Sequence, residues 1–219
     1  NEVINSTDQA QGQWYFVWRQ LRRDRAALVG AGVLSLIILL TVLAPIVSVY
    51  DPLAQSGDPA DYLSNPSRAH PFGTDALRRD VLSRVLHGGR TTLQAGILST
   101  LGAAIVGLSL GLLAGFSGGR VDDVISRIID VLLTLPGILL AIVIIAILGP
   151  GLQNAMIAVA TTMVPTFARL VRSVTLAERN KEYVWAARAL GSKSYHIIRK
   201  HIVPNVIAPV IVIGTLNTA

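Results

Sequence analysis

The chain has 219 residues, 52% of them hydrophobic and only 15% charged, with a mean hydropathy of +0.55; a disordered or solvating chain, which lacks apolar surface to bury, is excluded. Cysteine is absent, which removes disulfide frameworks, zinc–thiolate sites, iron–sulfur clusters and thiol nucleophiles. The net charge of +6 lies around long uncharged runs with no interleaved aromatic patch, so it reports membrane topology rather than nucleic-acid binding.

Residues 1–25 are polar and end on Arg19, Arg22, Arg23 and Arg25. Residues 26–49 carry no charge and are predicted to form a first transmembrane helix, since about 20 apolar residues cross a hydrocarbon core of roughly 30 Å. Three further spans are predicted, over 91–116, 131–148 and 152–168, and a fifth begins near Val206 and is still running at Ala219. The second is rich in small residues, Gly96, Gly102, Gly107, Gly111 and Gly115 among them, which let helix backbones approach closely in lipid. Pro136 and Pro165 fall inside the third and fourth spans; each removes a backbone donor and predicts a kink, either static or a hinge of a gate.

With the N-terminus in the cytoplasm, fourteen of the nineteen basic residues lie inside: four before Ala26, two in the 117–130 loop and eight between Arg169 and Lys200. The positive-inside rule therefore predicts that orientation. The outer 50–90 segment holds the other five, balanced by five aspartates. Within it, Thr74 is a plausible N-cap, followed by an amphipathic helix carrying Leu77, Val81, Leu82, Val85 and Leu86. Asp75–Arg79 and Asp80–Arg84 stand as i, i+4 ion pairs on it.

The inner segment, 169–204, predicts a helix over Glu182–Leu190, a left-handed stop at Gly191 and a second helix from Ser192 to His201 that Pro204 ends. Ala186, Ala187 and Ala189 give the first helix a small, flat patch suited to the groove of another protein. The same basic segment would also suit anionic lipid.

This elbow resembles the loop of binding-protein-dependent ABC importer permeases: Glu-Ala-Ala, three residues, Gly, nine residues, Ile-x-Leu-Pro. Ala186-Ala187, Gly191 and His201-Ile202-Val203-Pro204 keep the spacing, with Trp185 in place of the Glu and His201 in place of the Ile. More narrowly, His70-Pro71-Phe72-Gly73-Thr74-Asp75 through Arg79-Asp80 is similar to the second, C-type permease of dipeptide, oligopeptide and nickel importers. Their usual Gly-Thr-Asp-x-x-Gly-Arg-Asp has its second Gly replaced here by Arg78. Gly118-Gly119-Arg120-Val121-Asp122 and Asp130-Val131-Leu132-Leu133 extend the similarity, which covers about residues 20–219.

The resemblance implies an all-α integral membrane fold, the type I ABC importer transmembrane domain, with a core over 91–219 and a sixth span beyond the sequence. It implies half of a translocation pathway in a bacterial inner membrane, importing peptides, or nickel or another small solute. The implied partners are a second homologous permease, two ATP-binding subunits, an extracytoplasmic substrate-binding protein and membrane lipid. Tyr183, Trp185, Ala186, Ala187, Leu190, Gly191, Ser192 and Pro204 would then couple to an ATPase, with Pro136 and Pro165 as candidate hinges. ATP and Mg would be bound by the partners, because the chain has no Gly-x-x-x-x-Gly-Lys-Ser/Thr phosphate loop; no metal or catalytic residue is expected.

Two other classes are weaker. Gly115-Phe116-Ser117-Gly118 matches an intramembrane serine protease string, but no predicted span holds a histidine base. A proton- or sodium-coupled transporter usually carries ionisable groups at the bilayer midplane, and here Asp130 and Arg169 lie near span ends.

Overall fold

The structure, a computed structural model, describes residues 24–218. The expected polar cytoplasmic segment therefore lies almost wholly outside the described residues. Helices dominate, and among the described residues the only β-type pairing is an isolated bridge between Thr74 and Asp80. The chain divides into two compact units after Thr91.

In the first unit, α1 (Arg25–Val42) is capped by Asp24, whose carboxylate accepts the Ala26 and Ala27 amides at 2.9 and 3.2 Å. The expected span to residue 49 is interrupted: α1 stops at Val42, and a single turn, α2 (Ala44–Val47), follows. Pro45 has no N–H to give and its ring clashes with the carbonyl four residues back, so it starts a new turn instead of continuing the old one. Thr41 is buried where a Cβ on Gly89 would come within 2.5 Å of its methyl.

The helix after the 51–80 segment begins at Val81, as α3 (Val81–Ser117). At 37 residues it is roughly 55 Å long, well beyond the hydrocarbon thickness. There is thus no separate amphipathic helix starting after Thr74. Asp80 is the cap, its carboxylate accepting the Ser83 amide and hydroxyl at 2.7 Å. Thr74 instead closes the loop before it: its hydroxyl donates to the Asp61 carbonyl and accepts the Ser64 amide at 3.0 Å. Asp75 pairs with Arg79 as expected, at 2.8 Å, but Arg84 also goes to Asp75. The expected Asp80–Arg84 pair does not form because His70 and Ser83 already occupy both Asp80 oxygens.

In the second unit, the later part of α3 packs on α6 (Leu152–Arg179) along a glycine seam. A Cβ on Gly107 would lie 2.4 Å from the Phe167 Cβ, one on Gly111 2.7 Å from the Ala168 carbonyl, and one on Gly115 2.7 Å from the Thr175 Cβ. Spaced four apart, these glycines share one helix face and let the two backbones touch, where dispersion between close-packed atoms replaces the hydrophobic effect that lipid does not supply. Ala103, Val164 and Phe167 form a buried cluster beside this seam.

The apolar run 131–148 is not one straight span. It is divided between α4 (Gly119–Thr134) and α5 (Gly137–Leu148), whose axes bend by 96° at Leu135–Pro136. The residue before a proline is driven out of the helical region, and Leu135 has ψ 134°. Pro136 is therefore a break between helices, not a kink inside one. With 12 residues, α5 is too short to cross by itself. Pro165, by contrast, sits buried inside α6, which continues past the expected end at Ala168 to Arg179.

Candidate functional site: the elbow between the last two long helices

After α6 the chain turns at Asn180 and forms α7 (Glu182–Ala189). Helix formers fill it, and Gly191 stops it with φ +79°. The Ser192 amide reaches the Ala187 carbonyl at 3.0 Å and the Gly191 amide the Arg188 carbonyl at 2.9 Å. That pair of bonds satisfies two orphan carbonyls and is the Schellman termination that a glycine in this place predicts. A second helical run follows: α8 (Ser194–Ile197), a wide π turn over Ile198–Ile202, and α9 (Val203–Thr218).

Pro204 does not end this run. It lies in the first turn of α9, and the helix passes through it. The preceding turn is opened to the wide register, with the Val203 amide bonding to the Ile198 carbonyl. That register relieves the crowding a proline ring imposes on the carbonyl four residues earlier.

One buried cluster holds the elbow: Val184 of α7, Val171 of α6, Ile197 of α8, Ile202 of the π turn and Val206 of α9, with Leu108, Leu112 and Phe116 of α3 against it. Burying a side chain such as Val184 from water contributes roughly 1.5 kcal/mol. Polar contacts add to it. The Tyr183 hydroxyl donates to the buried Glu178 carboxylate, Lys181 Nζ reaches the same group at 2.6 Å, and the Tyr183 and His201 rings lie 5.5 Å apart. Burial, with the Glu178 carboxylate beside it, pushes the Tyr183 hydroxyl up to about 12. The Arg188 guanidinium sits 5.2 Å from the centre of the Phe116 ring, within cation–π range.

The neighbouring helix ends are tied by charge. Arg179 donates to the Gly115 and Phe116 carbonyls at 3.2 and 2.9 Å, a cation on the carbonyl end of α3. Arg172 of α6 takes Asp122 of α4 through two nitrogens, and Arg169 pairs with Asp130 at 2.8 Å.

The predicted coupling residues divide by this geometry. Tyr183 is an anchor and Ala187 packs on the cluster, whereas Trp185 (61% exposed), Leu190 (86%), Ala186 and Ala189 are turned away from it. Gly191 and Ser192 form the turn, and Pro204 lies beyond the π turn. Pro136 and Pro165 belong to other parts of the helix set and do not join the elbow. Sequence reasoning did not single out Val184, Glu178 or Arg179. The last two had a signal, a carboxylate three residues before Lys181 and a cation in a final helical turn. Among the described residues, no group of three His, Asp or Glu side chains gathers to hold a metal.

Comparison with known proteins agrees with this architecture. Residues 107–219 match the family of binding-protein-dependent transport system inner membrane components, and residues 12–66 match the N-terminal TM domain of oligopeptide transport permease C. The dipeptide transport system permease protein DppC of Alkalihalophilus pseudofirmus is 44% identical over 95% of this chain and 68% of its own length. The di/tripeptide permease DppC of Pseudomonas aeruginosa is 40% identical over 91% of the chain and 67% of its own length. The glutathione transport system permease protein GsiD of Pectobacterium atrosepticum is 40% identical over 93% and 67%. A chain of the MetNI methionine ABC transporter in an inward-facing form superposes with a TM-score of 0.52 at 23% identity, covering 58% of this chain and 65% of that one, and shares the type I importer transmembrane fold. The chain is a multi-pass membrane permease component, not an enzyme, and belongs to the family of binding-protein-dependent transport system inner membrane components.

Proposed function

We propose that this chain forms half of the translocation pathway of an ATP-driven importer of short peptides. The relatives named for dipeptides, di/tripeptides and glutathione favour that cargo. On this reading a second homologous permease completes the pathway, an extracytoplasmic binding protein delivers the peptide, and two ATP-binding subunits hold the ATP and Mg. The chain lies in a bacterial inner membrane with its N-terminus, residues 1–25, in the cytoplasm. The first span begins at residue 26, the 50–90 segment is extracytoplasmic, and 91–219 is the core carrying the 169–204 coupling loop.

The observation that carries the reading is the elbow. It exposes Trp185 and Leu190 with Ala186 and Ala189 between them, on a helix pegged to α3, α6 and α9 through Val184. A push on such a helix moves the spans with it, because close-packed interiors transmit displacement. Gly191 and Ser192 set the turn, and the break at Pro136 and the buried Pro165 are where the spans would bend.

Uptake of a labelled dipeptide by the assembled transporter tests it. Leu190→Asp, at an exposed position, should abolish ATP-dependent uptake by detaching the ATPase while the permease pair stays assembled in the membrane. Undiminished uptake, or uptake by this chain alone in liposomes, would overturn the proposal. Because these 219 residues contain no cysteine, single cysteines introduced at Ser67 and Ser192 should label from opposite sides of the membrane.

A further inference from the structure

The 51–80 segment encloses, with Tyr50, a cavity of about 280 Å3 lined by Tyr50, Ser56, Asp61, His70, Arg78 and Asp80. Its charges are unevenly satisfied. Both Asp80 oxygens are taken, one by His70 at 3.0 Å and the other by Ser83. Arg79 and Arg84 converge on Asp75. Asp61 receives one side-chain hydrogen bond, from the Ser56 hydroxyl, and Arg78 has no ion-pair partner among the described residues. A cation and an anion thus line one cavity without pairing to each other.

Arg78 is also held at a cost. Its φ of +58° is the left-handed region, which disfavours a side chain by roughly 1 kcal/mol and which glycine adopts freely. The Ser56 amide fixes it there by bonding to the Arg78 carbonyl at 2.9 Å. Among the described residues no hydrogen bond, ion pair or ring contact uses the guanidinium to repay that strain, and strained residues of this kind concentrate where a ligand is held. The Tyr50 and His70 rings, with centroids 4.8 Å apart, form an aromatic wall beside it.

We propose that this cavity binds a small zwitterion, its carboxylate on Arg78, its ammonium on Asp61 and its aliphatic part against Tyr50 and His70. A guanidinium matches a carboxylate bidentately, and a ligand carrying both charges supplies the two counter-ions the cavity lacks. The site is separate from the coupling elbow, and the proposal does not rest on the cargo, since its readout involves no transport.

The test is calorimetric titration of the full chain in detergent with L-alanyl-L-alanine, its N-acetyl derivative and its C-terminal amide. Wild type should bind the free dipeptide at least tenfold more tightly than either blocked form. Arg78→Gln and Asp61→Asn should each lose tenfold or more, and Arg78→Gln should no longer distinguish the amide from the acid. Arg78→Gly should lose the same affinity with an unchanged or higher thermal midpoint; Arg78→Gln keeps the side-chain bulk and decides the matter if the glycine variant does not fold. Absence of dipeptide binding, equal affinity in Arg78→Gln, or equal binding of the blocked forms overturns the proposal.

Discussion

The 51–80 segment and the 180–202 elbow are both short connections next to long apolar helices, and both turn on a residue with positive φ, Arg78 in one and Gly191 in the other. They are held in opposite ways. The 51–80 segment has no buried aliphatic cluster; it is closed by Thr74, Ser56 and Asp58 hydrogen bonds, by Asp75 with Arg79 and Arg84, and by Asp80 with His70 and Ser83. The elbow is pegged by Val184, Ile197 and Ile202, with Tyr183 and Lys181 on the Glu178 carboxylate beside them. A polar network can hold a cavity open with charges left over, whereas an aliphatic peg fills its space and leaves a rigid outer face.

The largest effect should come from attacking the peg. Val184→Asp places a carboxylate among Val171, Ile197 and Ile202 and should cost about 3 kcal/mol or more. The expected result is rapid proteolysis within 180–202 while the 51–80 segment keeps its protection; equal protection of the elbow in the variant would show that the cluster does not hold it.

The two left-handed positions should respond with opposite sign. Gly191→Ala adds a methyl that meets nothing within 4 Å, so its cost is that of the backbone alone, about 1 kcal/mol. Arg78→Gly removes a comparable strain and should be neutral to stabilising by up to about 1 kcal/mol. Thermal midpoints of the two variants, measured in one detergent, check the pair.

The smallest effects concern pH, and acid and alkali should separate the regions. Burial raises the Asp75 carboxyl, but hydrogen bonds from the Arg79 amide and guanidinium and the Leu77 amide outweigh it and bring it from 3.8 to about 2. Asp80, raised by burial and lowered more by Ser83 and His70, also ends below its usual value. A depressed carboxyl stabilises above its unfolded value and loses that contribution as pH falls through its folded one, so the 51–80 segment should weaken from pH 3.8 toward 2. Tyr183 moves the other way, from 10.0 to about 12. Its contribution is complete below pH 10 and fades as pH rises toward 12. Proteolytic mapping at acid, neutral and alkaline pH should show the first segment opening in acid and the elbow in alkali.

The Gly191 stop and the helix before it were legible in the sequence, because a Schellman termination is local: the bonds join residues at most five apart. The break at Pro136 was legible as a disturbance, but its 96° angle was not, since a proline removes one donor and leaves the direction to the neighbouring helices. The start of α3 was misplaced for a related reason. Thr74 and Asp80 can both cap a helix, and the choice was made by partners outside it, with Asp61 and Ser64 taking Thr74 while His70 and Ser83 take Asp80. Val184 was missed because the apolar face of an eight-residue helix is ambiguous until the helix is docked.

By itself the sequence determined the membrane class, the apolar runs, the absence of a phosphate loop and the spacing of the elbow, all of which depend on composition or on neighbours within a turn or two. Only the tertiary structure decided which elbow residues are pegs and which are exposed, that Arg172 meets Asp122 and Arg169 meets Asp130 across 50 and 39 residues, and that Gly107, Gly111 and Gly115 lie under α6. Those facts are set by where separate helices meet, and a helix repeats its faces every few residues without stating which one its neighbour will cover.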